Sequence, residues 1–269
     1  MMIFKSKNSS SGEQRKLRLI DEKASFAFKE AYNSLRTNID YLAATNQYKT
    51  ILITSSGPTD GKTTTTINLA VAMANSGKRV VVVDADFRKA TLASYLRINR
   101  STPGITSVIT KEKRLQEVIV RKPELKIDIL PVGVLPPNPA ELCGSAAIVT
   151  VLQLLSEIYD YVFVDTPPAS VVTDAAILSR VVDGVILIAR SDVTSKQALN
   201  LSKKSLEDVN ANILGVVLNG VDFRAHGYGG YNRDYRYRYG YGENSGQKKR
   251  RMFSSKGQKS KGTKHGRAR

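Results

Sequence analysis

Lys62 and Thr63 close the most chemically pointed stretch of this sequence, GPTDGKTTTT at 57–66, entered from the apolar run TILITSS and left through INLAVAMAN. A chain that turns from strand to helix at such a segment aims several backbone N–H groups, and the positive end of the helix, at one point in space, which suits phosphate. Gly61 lets the backbone approach closely, Lys62 can neutralise β- and γ-phosphates, and Thr63 can offer its hydroxyl to a magnesium ion. Gly57, Asp60 and Thr64 complete the set expected to bind nucleotide. The match to G-x-x-x-x-G-K-[ST] is imperfect, because Ser56 stands where the first glycine belongs and Gly57 comes one residue late. An ordinary glycine-containing turn would leave the lysine and the threonine run unexplained.

Carboxylates recur at the ends of two other apolar runs. RVVVVDADFRK finishes with Asp84 and Asp86, and DYVFVDTPPA with Asp165. In open parallel sheets ligands bind beyond the carboxyl ends of the strands, so these aspartates are expected to meet the phosphate-binding segment on one edge. Three carboxylates beside a triphosphate imply a metal. Mg²⁺ takes oxygen ligands and keeps waters, so one or two carboxylates with the Thr63 hydroxyl would suffice. A lone aspartate at such a position is more often a helix cap or a solvated strand end; three of them, in a chain with G-K-T, favour the metal site.

These groups need a scaffold. Short apolar runs at 50–54, 79–83, 127–131, 161–164, 184–189 and 213–218 alternate with helical stretches, and most are nearly continuous in Val, Ile and Leu. Strands apolar at odd and even positions must be covered on both faces, which predicts a doubly wound α/β fold with a mainly parallel sheet. Ahead of it, Phe28, Tyr32, Leu35, Ile39 and Leu42 fall at three- and four-residue steps, one stripe of an amphipathic helix over 24–44. Residues 1–22 are polar and Ser-rich and are expected to form a flexible arm; 23–222 is the expected folded domain.

The chain of 269 residues carries one cysteine, Cys143, which excludes an internal disulfide framework or a multi-cysteine zinc site and fits a reducing, cytoplasmic setting. No apolar run reaches signal-peptide or membrane-spanning length, so membrane association is expected only through a partner or surface charge. The formal net charge of +17 is uneven: 221–269 hold 14 Lys/Arg against 3 Asp/Glu. After Asp222 the apolar pattern stops, and 223–269 is expected to be a disordered basic tail.

The phosphate-binding segment, V-V-D-A-D-F-R-K and F-V-D-T-P-P resemble the Walker A, A′ and B motifs of the bacterial tyrosine kinases of the soluble CpsD/CapB capsule type, relatives of the ParA/MinD ATPases. E-A-Y-N-S-L-R-T-N at 30–38, P-G-I-T-S-V-I-T at 103–110 and L-P-V-G-V-L-P-P-N-P-A-E-L at 130–142 extend the resemblance over about 24–222. It implies a P-loop fold, ATP and Mg²⁺ as cofactors, Asp84 as the base that takes the tyrosine proton, with Asp86 two residues on as the alternative, and Asp86 and Asp165 with Thr63 around the metal. Asn219 resembles an adenine-facing asparagine of this class; an asparagine before Gly220 is equally suited to a turn. Glu30 and Arg36 resemble two parts of the family's E-x-x-R-x-x-R oligomerisation motif, but Asn33 stands where its first arginine is expected. The resemblance further implies a homo-oligomer phosphorylating in trans, a transmembrane activator that recruits the kinase to the inner face of the plasma membrane, and substrates in capsule or exopolysaccharide synthesis and export.

Tyr228, Tyr231, Tyr235, Tyr237, Tyr239 and Tyr241 are half of the 12 tyrosines and sit among Gly, Arg, Asn and Asp, available rather than packed. They are the expected phosphoacceptors. Six phosphotyrosines would add roughly −9 to −12 charges, enough to cancel the tail's basicity. Interleaved Tyr and Arg could instead form a nucleic-acid platform, as in a ParA/MinD-like ATPase with a basic tail that binds nucleic acid or membrane. Such ATPases carry a signature lysine where this chain has Gly57, so no specific nucleic-acid partner is expected.

Overall fold

The computed structural model describes residues 19–21 and 23–221; the expected tail with its tyrosine cluster, and most of the expected arm, lie outside the described residues. In chain order the elements are α1 (Phe26–Asn46), β1 (Thr50–Ser55), α2 (Lys62–Asn75), β2 (Val80–Asp84), α3 (Thr91–Tyr95), α4 (Ile105–Ile109), α5 (Leu115–Val118), β3 (Val120–Lys122), β4 (Ile127–Leu130), α6 (Pro139–Cys143), α7 (Ala146–Ile158), β5 (Tyr161–Asp165), α8 (Asp174–Leu178) with a 3-10 turn (Ser179–Val181), β6 (Gly184–Arg190), α9 (Lys196–Glu207) and β7 (Ile213–Asn219).

The strands lie in the order β3-β4-β2-β5-β1-β6-β7, all neighbours parallel except the β3–β4 pair. Both faces are covered, as the unbroken apolar runs require. Ile51, Ile53, Val80, Val82, Ile129 and Phe163 face one hydrophobic cluster with α1 and α2. Their neighbours Leu52, Val81, Val83, Leu130, Val162 and Val164 face a second, with α7, Leu178 of α8 and Leu206 of α9. The six predicted apolar runs are all strands; the additional β3 is three residues long, has no apolar run and was not expected.

Helix α2 is buried almost all round, from Thr63 to Ala74 with Thr64 the exception in that stretch. A helix apolar on every side needs a cover on its outer face, and α1 supplies it: Tyr32 and Ile39 are buried, with Phe28 and Leu35 packed against the same cluster. Tyr161 of β5 ties this cover down, its hydroxyl donating to Asp40 Oδ1 on α1 over 2.7 Å. The helix that begins at Lys62 is therefore clamped between sheet and α1, fixing where its N-terminus points.

Candidate functional site

Register brings the acids together before any side chain is considered. Asp165 pairs with Ile53 of β1 on one side and with Asp84 of β2 on the other, so the carboxyl ends of three adjacent strands meet where β1 runs into the 56–61 loop. Gly61, at φ +97°, makes the turn into α2. A Cβ there would stand 2.1 Å from Asn219 Nδ2, so the close approach that requires glycine is that of the Asn219 side chain.

Lys62 Nζ lies 3.2 Å from Asp86 Oδ2 and 3.7 Å from Asp165 Oδ2. The Thr63 hydroxyl donates to Asp165 Oδ2 over 2.6 Å, and Thr66 reaches the other oxygen of the same carboxylate at 3.4 Å. Asp84, fully buried, accepts the Asp86 amide on Oδ1 at 3.2 Å, while its Oδ2 is buried without a hydrogen-bond partner. Burial, and then the charge of Asp165 across the strand pair, push the Asp84 carboxyl well above the usual range. Asp165 is also raised, by burial, against the opposing pull of Lys62 and Thr63. For Lys62 burial disfavours the charged form, but Asp165 and Asp86 outweigh it and the pKa rises.

Among the described residues no group of three His, Cys, Asp or Glu side chains is arranged to hold a metal ion by itself. The donors nevertheless suit magnesium, which keeps waters and shares its shell with phosphate oxygens: a buried carboxylate hydrogen-bonded to a threonine hydroxyl, a second carboxylate beside it, and the unpartnered Asp84 Oδ2.

The structure thus brings Lys62, Thr63, Asp84, Asp86 and Asp165 together. Gly57 and Asp60, expected to bind nucleotide, here bond one another: the Gly57 amide donates to Asp60 Oδ2 over 2.7 Å. Asn219 donates through Nδ2 to the Asp60 carbonyl at 2.8 Å, at the rim of the same loop. Thr64 is partly exposed on the first turn of α2. Glu30 is engaged within its own helix, accepting from Asn33 Nδ2 at 2.9 Å, while Arg36 buries its Nε without a hydrogen-bond partner.

Sequence reasoning missed Thr66, which the threonine run could have signalled, and Thr194 and Arg190, for which no local signal exists. It also passed over Arg88, whose Nε and Nη2 grip the two oxygens of buried Asp174 at 2.8 Å each and hold the segment after Asp86 against α8. A cavity of about 790 Å³ between α6, α8 and α9, lined by Cys143, Arg180, Leu201 and Lys204 among others, contains none of the expected residues.

A parallel sheet whose strand–loop–helix turn carries G-K-T, with aspartates ending the adjacent strands, defines a P-loop nucleotide-binding protein. The AAA domain family matches residues 48–213. Tyrosine-protein kinase YwqD of Bacillus subtilis (strain 168) is 37% identical over 225 residues, 84% of this chain and 94% of YwqD. Among solved structures, the chimerical protein CapA2B2 superposes with TM-score 0.69 at 33% identity, covering 73% of this chain and 86% of that one. The kinase domain of Escherichia coli tyrosine kinase ETK superposes with TM-score 0.69 at 32% identity, covering 72% and 75%. The chain belongs to the bacterial tyrosine-protein kinases.

Proposed function

We propose that this kinase phosphorylates tyrosines 228–241 of its own tail, one subunit serving another, from ATP held at the Lys62 site. The observation that carries the reading is the convergence of Lys62, Thr63, Asp86 and Asp165 within 3.7 Å contacts, beside an unpartnered buried oxygen of Asp84. Lys62 and the free amides of the α2 N-terminus hold the β- and γ-phosphates and offset the charge that develops during transfer. Thr63, Asp86 and Asp165 are the residues that would hold magnesium, which when bound neutralises the phosphate oxygens. A carboxylate of the Asp84/Asp86 pair takes the phenolic proton. The tyrosine oxygen then bonds to the γ-phosphorus as its bond to the β,γ-bridging oxygen breaks, and ADP leaves. Burial raises the Asp84 carboxyl above the usual range, and a more basic carboxylate is a stronger proton acceptor than an ordinary one.

The division into an arm (1–22), kinase domain (23–222) and acceptor tail (223–269) belongs to the same reading. So do association through Glu30 and Arg36, a membrane-bound activating partner, and a role in capsule or exopolysaccharide synthesis. The chimerical nature of the solved relative CapA2B2 is in keeping with a second polypeptide. No helix among the described residues is long and apolar enough to cross a membrane.

The test is incubation of the full chain with ATP and Mg²⁺, probed for phosphotyrosine, beside Lys62→Met and a chain ended after Asp222. Wild type labels and the other two do not. A Lys62→Met protein that still labels, or a truncated chain labelled as heavily as wild type, refutes the reading.

A further inference from the structure

The phosphate loop is bonded by residues at the ends of β6 and β7 and in the loop after β6, none of them part of its motif. Asp60 is buried, yet its carboxylate is fully partnered: Oδ2 accepts the Gly57 amide at 2.7 Å and Oδ1 accepts the Thr194 hydroxyl at 3.0 Å. That hydroxyl in turn accepts the Arg190 amide at 2.7 Å, which fixes the direction in which its own proton points. Two further bonds reach the same loop. Asn219 Nδ2 donates to the Asp60 carbonyl, and Arg190 Nη1 donates to the Thr59 carbonyl at 3.1 Å. Thr59 itself sits at φ +68°, a conformation a β-branched residue adopts only when its surroundings impose it.

An anion one residue away from Gly61 is a hazard for a site that must take up a polyphosphate. The N–H groups at the start of α2 attract negative charge from any source, and the nearest covalently attached source is Asp60. The carboxylate is held in place because both of its oxygens are engaged, one by the Gly57 amide and one by the Thr194 hydroxyl. Removing the Thr194 hydroxyl strips Oδ1 of its partner in a buried setting, where an unsatisfied carboxylate oxygen is costly. The nearest relief is for Asp60 to turn toward the amides and Lys62, where it competes with phosphate.

We infer that Thr194 is a positioning residue for nucleotide binding, and that with Arg190 and Asn219 it holds Asp60 away from the phosphate cradle. Its effect is exerted through a carboxylate that, when released, acts as an internal competitor. The inference rests on the nucleotide reading of Lys62 and deepens it, by assigning to β6, β7 and the loop after β6 the task of setting the cradle's charge.

The experiment titrates fluorescent mant-ADP with Mg²⁺ against the full chain, with thermal unfolding of each variant measured without nucleotide. Thr194→Val is expected to weaken binding about tenfold, the loss of one hydrogen bond to a charged group, whereas Thr194→Ser stays within about twofold of wild type. The decisive arm is Asp60→Asn in the Thr194→Val background. Without the charge the competitor is gone, so the double variant binds more tightly than Thr194→Val alone, whereas a merely structural network would make it weaker still. Equal affinity of wild type and Thr194→Val, or a further loss in the double variant, overturns the inference and leaves the Lys62 site standing. Failure of both Thr194→Val and Thr194→Ala to fold overturns it in favour of a purely structural hydroxyl. No binding by the wild-type chain overturns both this inference and the nucleotide reading beneath it.

Discussion

Gly61→Ala probes the cradle through a cost whose parts can be separated. Alanine at φ +97° occupies a left-handed conformation that disfavours a Cβ by about 1–2 kcal/mol. Its Cβ also arrives 2.1 Å from Asn219 Nδ2, a distance no real contact sustains. The asparagine is the movable partner, and by leaving it gives up its 2.8 Å bond to the Asp60 carbonyl, worth about 1 kcal/mol. The single substitution should therefore cost about 2–3 kcal/mol, and Asn219→Ala alone about 1 kcal/mol. In the double variant the asparagine bond is lost only once, so the total should equal that of Gly61→Ala and fall about 1 kcal/mol short of the additive sum. The chain has no tryptophan, so urea unfolding of the full chain is best followed by circular dichroism. Strict additivity would show that Asn219 does not meet Gly61 as described, and an unchanged midpoint for Gly61→Ala would refute the backbone argument as well.

Three other outcomes are expected. Because the Asp84 carboxyl is raised in the folded state, its contribution to stability is present at acid pH and declines as pH rises from the ordinary carboxylate range through the raised value. Asp84→Asn should thus raise the melting temperature at neutral pH and flatten its pH dependence while phosphotyrosine formation falls; a lower melting temperature at pH 7 would contradict the sign. Arg88→Ala leaves Asp174 buried without its bidentate partner, and since the Arg88 side chain is 41% exposed the loss should lie between that of surface and buried pairs, about 1–3 kcal/mol by denaturant titration. A change below about 0.5 kcal/mol would show that the pair holds nothing in place. Burial pushes the Cys143 thiol up to about 12, so it should resist alkylation at pH 8 in the native chain and react once urea unfolds it; rapid native labelling would place it at the surface.

The residues of the candidate site were legible because their spacing is local. G-K-T between an apolar run and a helix, and aspartates ending other apolar runs, are patterns of consecutive residues, and strand alternation on two covered faces followed from Val, Ile and Leu at adjacent positions. The α1 stripe was legible for the same reason, and its Tyr32 and Ile39 are buried where the periodicity put them. Strand β3 was not, because three residues paired antiparallel at a sheet edge leave no periodicity to read.

By itself the sequence determined a G-K-T turn between strand and helix, acidic strand ends and a two-faced sheet. Only the tertiary structure decided that Asp60 turns to Gly57 and to Thr194, 134 residues away, that Asn219 reaches the loop across 159 residues, and that Arg88 finds Asp174 across 86. Such partners are chosen by strand order, which settles through the burial of both sheet faces at once. No short stretch of residues encodes that order, whereas a turn or a helix start is written within a few residues of itself.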